Sequence, residues 1–259
     1  MTTALLASLV LHAPAYRQEP VAQEATATPA AFIGAMLVRY RNALTISGQW
    51  TFRQVATAAT GKAEVSVNTR FAMQRPGKVR IDQKSSRRDD KTYLFVSDGS
   101  QLTSDVPDLE APKGLRQMAP VTTETDGSVL AGRVIADASK TIPDPFSPFF
   151  AVAGSWNVAL ENWRSEWASL ADGGRGEVNG VACRIIKGKW RRVKTQNATG
   201  TFGIWISDAG DLLRYSYEEE LNPVDEDRKP LGKVTILTEW TGALTLDPVL
   251  PPDTFKLVP

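Results

Sequence analysis

The chain has 259 residues, of which 42% are apolar and 23% are charged, proportions that are ordinary for a globular protein and exclude an intrinsically disordered one. A single all-β domain can reach this length, so a second domain is not required. The 30 Lys and Arg residues against 29 Asp and Glu residues leave a net charge of +1, too little for the broad positive field that attracts nucleic acid.

Histidine and cysteine are so scarce that serine-histidine triads, cysteine-histidine dyads and histidine-ligated zinc sites are excluded. His12 is the only histidine, and it lies in a segment that we expect to be removed, so the mature chain has no imidazole to act as acid, base or metal ligand. Cys183 is the only cysteine, so it can form neither an internal disulfide nor a thiolate zinc site. Its apolar neighbours at strand spacing predict a buried residue. We therefore expect no enzyme activity, no cofactor and no metal.

The first 29 residues have the pattern of an export signal followed by a leader. Residues 4–11 form an apolar run of signal-peptide length, too short to span a bilayer, and residues 13–15 have the A-x-A form of a cleavage site. Residues 16–29 are rich in Ala, Thr, Gln, Glu and Pro, which predicts a flexible leader. The predicted organisation is a signal peptide over residues 1–15, a leader over 16–29 and one domain over 30–259, with no transmembrane segment.

An amphipathic helix is predicted over residues 30–43, where apolar side chains recur at spacings of three and four. These side chains are Phe32, Ile33, Met36, Leu37 and Tyr40. The period then changes to two, which predicts a strand with Trp50 and Phe52 on one side and a second strand containing Phe71. The stretch at 56–62 predicts the hairpin that connects them.

Further turns and strands follow in the pattern of a meander of hairpins. Turn residues at 75–78 and 97–100 bracket strand character at 79–81 and 93–96. Residues 107–148 carry much of the proline, which predicts a long connection outside the sheet.

A second helix is predicted over residues 155–170, because large side chains recur there in steps of three and four. These side chains are Trp156, Leu160, Trp163, Trp167 and Leu170. Two interpretations of this face remain open: aromatic burial that fixes the helix to the core, or a lid that faces a ligand cavity.

Strands return at 181–185, 201–206, 212–217 and 234–240, each bounded by Gly, Asn or Asp. The predicted fold is mainly β, with about ten strands and two or three helices, and without the alternation of strand and helix that a parallel sheet needs. The basic run at 187–194 is interpreted as a solvated strand edge rather than an anion site. The acidic runs at 218–220 and 225–227 are interpreted as solvated loops rather than the paired carboxylates of a glycosidase.

Several short motifs occur in a characteristic order along the chain. They are the helix at 30–43, FAMQRPGKVR at 71–80, VSDG at 96–99, WISD at 205–208, and LD at 246–247 with FKLVP at 255–259. Together they resemble the LolA/LolB-like lipoprotein-carrier superfamily over most of the predicted domain. The motif GVACRI at 180–185 is similar to a LolA-related periplasmic subgroup.

The resemblance implies an open, strongly curved antiparallel half-barrel whose concave apolar face is covered by helices. It implies a periplasmic carrier that binds a lipid or a lipoprotein acyl chain under a helical lid, and we expect a monomer. The ligand-binding residues implied are Trp50, Phe52, Phe71, Trp163 and Trp167.

Arg75 matches the arginine that in LolA bonds the lid and holds it closed, so the resemblance implies a lid latch at this position. A guanidinium suits that role because its five donors can satisfy the carbonyl end of a helix. The other interpretation of Arg75 is an ordinary cation beside a hairpin turn. The alternative function is a non-enzymatic envelope sensor or protein-interaction module on the same fold, with an envelope protein as its partner. That alternative predicts a filled core and an exposed apolar patch.

Overall fold

The computed structural model describes residues 28–86, 92–105, 114–117, 167–191, 199–222 and 232–256, which form one helix and one sheet. The helix, α1, spans Pro29–Asn42. The strands are β1 (Thr45–Ala58), β2 (Gly61–Gln74), β3 (Lys78–Ser85), β4 (Thr92–Asp98), β5 (Gln101–Asp105), β6 (Gly114–Gln117), β7 (Trp167–Val178), β8 (Val181–Arg191), β9 (Thr199–Ser207), β10 (Leu212–Leu221) and β11 (Val234–Leu246).

The sheet has 11 strands in the order β6-β5-β4-β3-β2-β1-β11-β10-β9-β8-β7. Every pair of neighbouring strands is antiparallel, and within the described residues β6 and β7 lie at opposite edges. The first and last strands pair at the centre, with Ile46 opposite Leu246 and Ala58 opposite Val234. The predicted mainly β, open antiparallel fold is therefore confirmed, with one strand more than expected.

The helix α1 begins and ends where its sequence dictates. The hydroxyl of Thr28 caps the first turn by accepting from the amide of Ala31 at 3.3 Å, and Pro29 occupies a first-turn position where no amide donor is needed. Arg39 and Arg41 lie in the last turn, where cations interact favourably with the helix dipole. The predicted amphipathic helix is confirmed, since its buried residues are Ile33, Met36, Leu37 and Tyr40.

Strand alternation gives the sheet an apolar face, which we call the inner face. Trp50 and Phe71, together with Trp240, belong to it, and the cluster of buried side chains extends from β4 to β8 across the sheet. The buried side chains of α1 join the same cluster, so the helix covers part of the inner face.

The opposite side, the outer face, is mainly polar. Arg53 forms ion pairs with Glu64 and Glu239, and Arg214 binds Glu239 from the next strand. The hydrogen bond from Arg53 holds the pKa of the Glu64 carboxyl below its usual value. The outer face also carries a smaller apolar cluster, which contains Val178, Cys183 and Leu213.

The end of the second predicted helix is a strand, so that prediction was wrong for residues 167–170. Residues 155–166 lie outside the described part of the chain. In β7, the backbone of Trp167 pairs opposite Trp190, and this strand pairing overrides the helical spacing of the sequence. Asn179 and Gly180 have positive φ values of 50° and 81° and form the two-residue turn that folds β7 back against β8.

Three smaller predictions also need correction. Residues 114–117 fall in the proline-rich stretch but form β6, because they contain no proline and their amides can pair with β5. The described part of the basic run, residues 187–191, lies on β8, which is paired on both sides and is not an edge; its Lys187 and Lys189 are exposed on the outer face. The acidic run at 218–220 lies within β10 rather than in a loop.

Candidate functional site

Two of the predicted ligand-binding residues meet at the centre of the inner face. The ring centroids of Trp50 and Phe71 are 5.6 Å apart, and Trp50 lies at the same distance from Trp240. Phe52 lies on the same strand face but packs in a small adjoining cluster with Val67. All of these side chains are buried.

Only one of the two predicted lid residues lies within the described residues, and it belongs to a strand. Trp163 lies outside the described residues. Trp167 belongs to β7, at the edge of the described sheet, and is far in strand order from β1 and β2, which carry the other predicted ligand-binding residues.

Trp240 is a site residue that sequence reasoning did not select. It pairs opposite Phe52 in the sheet and only 1% of its surface is exposed. Its indole N–H is buried and has no hydrogen-bond partner among the described residues, and an unsatisfied buried donor costs about 1–3 kcal/mol. The available signal was its period-two position in the last strand, which places it on the aromatic face.

Arg75 contacts the end of α1, and its role as a latch stays a prediction. Its Nε donates to the carbonyl of Ala43, the C-cap residue of the helix, at 3.0 Å, and its backbone amide donates to the carbonyl of Leu44 at 2.8 Å. The carboxylate of Asp247 accepts from the amides of Leu44 and Thr45 at 2.7 and 3.2 Å. The junction between α1 and β1 is therefore held from β2 and from the end of β11.

Polar and cationic contacts also hold α1 to the β8–β10 region. The buried hydroxyl of Tyr40 accepts from the amide of Leu212 at 3.0 Å, and Arg39 lies 3.3 Å from the carboxylate of Asp211. Burial raises the pKa of Tyr40 to about 12, which keeps the phenol neutral at ordinary pH. Near the start of the helix, the guanidinium of Arg184 lies 5.2 Å from the ring centroid of Phe32.

A half-open pocket of about 660 Å³ lies on the outer face of β11, β1, β2 and β3. Its position follows from strand alternation, because Gln49 and Thr51 face away from the aromatic side on which Trp50 lies. The tip of the β7–β8 hairpin contributes Asn179. Side chains with polar or charged ends dominate the lining; they include Gln49, Thr51, Asn68, Arg70, Asp82 and Lys84.

The described surroundings of Cys183 do not, on balance, activate its thiol. The side chain is fully buried, as predicted, within the small outer-face cluster, and burial raises the pKa of its thiol. Within the described residues, no group of His, Cys, Asp and Glu side chains is arranged to hold a metal ion. The helix in this part of the chain is neither long nor apolar enough to cross a membrane.

Neither a protein-family model nor a curated protein matches the chain. Among solved structures it is similar to MucB, at 12% identity and a TM-score of 0.43, over 88% of this chain and 62% of that one, so it spans less than two thirds of that protein. It is also similar to LprF from Mycobacterium bovis, at 12% identity and a TM-score of 0.40, over 86% of this chain and 94% of that one.

A third similar structure is a LolA superfamily protein from Nitrosomonas europaea, at 9% identity and a TM-score of 0.32, over 87% of this chain and 97% of that one.

Proposed function

We propose that this protein binds an apolar ligand, such as a lipid or a lipoprotein acyl chain, between the inner face of the sheet and its helical cover. The observation that carries the proposal is the extent of the apolar face, which runs from β4 to β8. At about 4.8 Å per strand that face is about 35 Å wide. The helix α1 is about 21 Å long and about 10 Å across, too small to cover such a face alone.

The unsatisfied indole of Trp240 supports a ligand that carries at least one hydrogen-bond acceptor. The N–H lies among aromatic rings, where an ester or amide carbonyl of an acylated molecule would be a suitable acceptor. A neutral carbonyl is favoured over a carboxylate, because burying a charge beside these rings carries a large desolvation cost.

The attachment of α1 supports a helix that can move away when the ligand enters. Arg75 and Asp247 hold the end of the helix through a few hydrogen bonds, and water can replace bonds of this kind in an open state. We infer that Arg75 acts as a latch, since its bond to Ala43 forms only when the end of the helix is in place.

We further infer that the protein acts without catalysis, as a monomer exported to the periplasm. The support for export is the signal-like pattern of residues 1–15, and the support for a non-enzymatic role is the lack of histidine after His12. Carriage of lipoproteins between membranes is the more specific form of this proposal.

The proposal is tested by titrating the purified protein with palmitic acid and with a dipalmitoylated peptide while the tryptophan fluorescence is followed. We expect saturable binding of both, tighter for the peptide because its carbonyls can accept from Trp240. Trp50→Ala and Phe71→Ala should each weaken binding by about tenfold or more, since each removes a large apolar contact.

The matched control is the double variant of Lys187→Ala and Lys189→Ala, which removes two exposed outer-face cations and should leave binding unchanged. Because truncation of a buried aromatic side chain costs about 3–5 kcal/mol of stability, Phe71→Leu provides a milder variant, and near-ultraviolet circular dichroism checks the fold of each protein. If the folded wild-type protein binds neither ligand at micromolar concentration, the proposal is wrong.

A protein-interaction module is the second candidate function, and one observation favours it. The side chains of Trp50, Phe52 and Phe71 are at least 96% buried, which is the filled core that this alternative predicts. The same titration separates the two functions, because a filled core gives no saturable response to an acyl ligand.

A further inference from the structure

We propose that the outer-face pocket is a second binding site, on the opposite face of the sheet from the apolar one, and that it takes a phosphate group carried on a polar, hydroxyl-rich body. The pocket is formed by four adjacent strands and the tip of the β7–β8 hairpin, so its walls belong to the regular sheet. A volume of about 660 Å³ is larger than one phosphate needs. The part of the ligand beyond the phosphate therefore has to be polar, like the side chains that line the pocket.

The charge of the pocket favours an anion. Arg70 and Lys84 both line it, and neither has an ion-pair partner within the described residues. The carboxylate of Asp82 is already bound on both oxygens by Arg80, at 3.0 and 3.2 Å, so it is neutralised from outside the pocket. Two unpaired cations therefore remain beside one paired carboxylate.

The register of the sheet places these cations close enough to bind one group. Arg70 is opposite Asp82, and Lys84 is opposite Asn68, so the two cations are diagonal neighbours on β2 and β3. Diagonal neighbours on one face have Cα atoms about 7–8 Å apart, within the joint reach of two long side chains. A guanidinium and an ammonium together suit the several acceptor oxygens and the double charge of a phosphate monoester.

Neutral donors on the same wall suit the hydroxyl groups of the ligand. The hydroxyl of Thr51 donates to Oδ1 of Asn68 at 2.7 Å, which fixes the amide and leaves its two N–H donors unused within the described structure. Gln49 and Thr92 add further amide and hydroxyl groups. This combination favours a sugar phosphate over inorganic phosphate, either as a free molecule or as a lipid head group.

The test is calorimetric titration of the full chain at low salt with glucose 6-phosphate, inorganic phosphate and glucose. We expect glucose 6-phosphate to bind most tightly, inorganic phosphate more weakly and glucose least, with affinity that falls as salt is added because the cations are exposed. Arg70→Gln combined with Lys84→Gln should weaken the binding of glucose 6-phosphate by about tenfold or more.

The matched control is Lys187→Gln combined with Lys189→Gln, which removes the same charge from β8 on the same face and should change that affinity less than about twofold. Sedimentation with phosphatidylglycerol vesicles, compared with phosphatidylcholine vesicles, distinguishes the source: binding that Arg70→Gln and Lys84→Gln abolish identifies a lipid head group.

The proposal is overturned if neither the phosphates nor the anionic vesicles bind at about millimolar concentration, or if both double variants lower affinity equally. Palmitic acid binding should be the same in all of these variants, so failure here is separable from failure of the apolar site.

Discussion

Tyr40 attaches α1 to the sheet through a single hydroxyl. In Tyr40→Phe the buried amide of Leu212 loses its acceptor, and we expect the free energy of unfolding to fall by about 1–2 kcal/mol. Urea denaturation at neutral pH measures this loss. Tyr93→Phe is the control, because that hydroxyl has no hydrogen bond within the described residues and its removal should cost less.

The pH dependence of this variant also follows from burial. The pKa of Tyr40 is raised from 10.0 to about 12, so the folded state retains the phenolic proton where the unfolded state has lost it. The stabilising contribution is complete below pH 10 and is lost as the pH rises towards 12. The stability difference between the wild type and Tyr40→Phe should therefore shrink over that range, and a constant difference up to pH 11 would contradict the assignment.

Asp247 combines an unusual backbone conformation with two hydrogen bonds. Its φ is 53°, and its carboxylate accepts from the amides of Leu44 and Thr45. Asp247→Ala removes both bonds from a residue in a left-handed conformation, so we expect a loss of about 2 kcal/mol in denaturant unfolding. Asp247→Asn keeps an acceptor and should lose less than half of this. Asp253→Ala, which removes an exposed carboxylate elsewhere, should have almost no effect.

The proposed latch role of Arg75 concerns how firmly α1 closes over the inner face. We expect Arg75→Leu to speed both uptake and release of palmitic acid by about tenfold, because a charge-assisted bond is lost only from the closed state. Stopped-flow fluorescence measures both rates, and the equilibrium affinity should change much less than either rate.

Arg41→Leu is the control for Arg75→Leu. It removes an exposed cation from the last turn of the same helix and should leave both rates unchanged. A slower release in Arg75→Leu, or equal effects of the two variants, would mean that Arg75 is not a latch.

The elements that were predicted correctly are those in which local pattern and tertiary packing agree. α1 carries its apolar face at helical spacing, and the turn at residues 75–77 contains the proline and glycine that such a turn needs. β7 was missed because Trp163, Trp167 and Leu170 also fit helical spacing. The Asn179–Gly180 turn was the available signal, because a long hairpin extends equally in both directions from it.

The inner face could be predicted from the sequence, but the outer pocket could not. Period-two alternation identified Trp50 and Phe71, since every apolar residue of one strand face must be buried together. The pocket depends on which strands bring their polar side chains next to one another in the sheet. The pocket forms only because β1 pairs with β11 and because Asn179 lies beside these strands. A local sequence pattern encodes neither of these long-range contacts.

Export is a property of the whole chain, and it stays a prediction of the sequence. We expect the mature protein to begin near Tyr16 or within the leader that follows, because the apolar run before it has the length of a signal peptide. N-terminal sequencing of protein purified from its own host gives the answer directly. Recovery of an intact Met1 from the cytosol would remove the export proposal.

The pairing of β1 with β11 along its whole length has a consequence for how the molecule is made. The centre of the sheet joins two strands separated by most of the sequence, so it carries a high contact order and a slow folding step. While the chain emerges, β1 to β6 can form hairpins, but β1 has no partner on its other side until β11 arrives. If the chain is exported through a membrane pore, it therefore stays incompletely folded until β11 has passed. Passage through a narrow pore requires an unfolded chain, so this order of folding suits export.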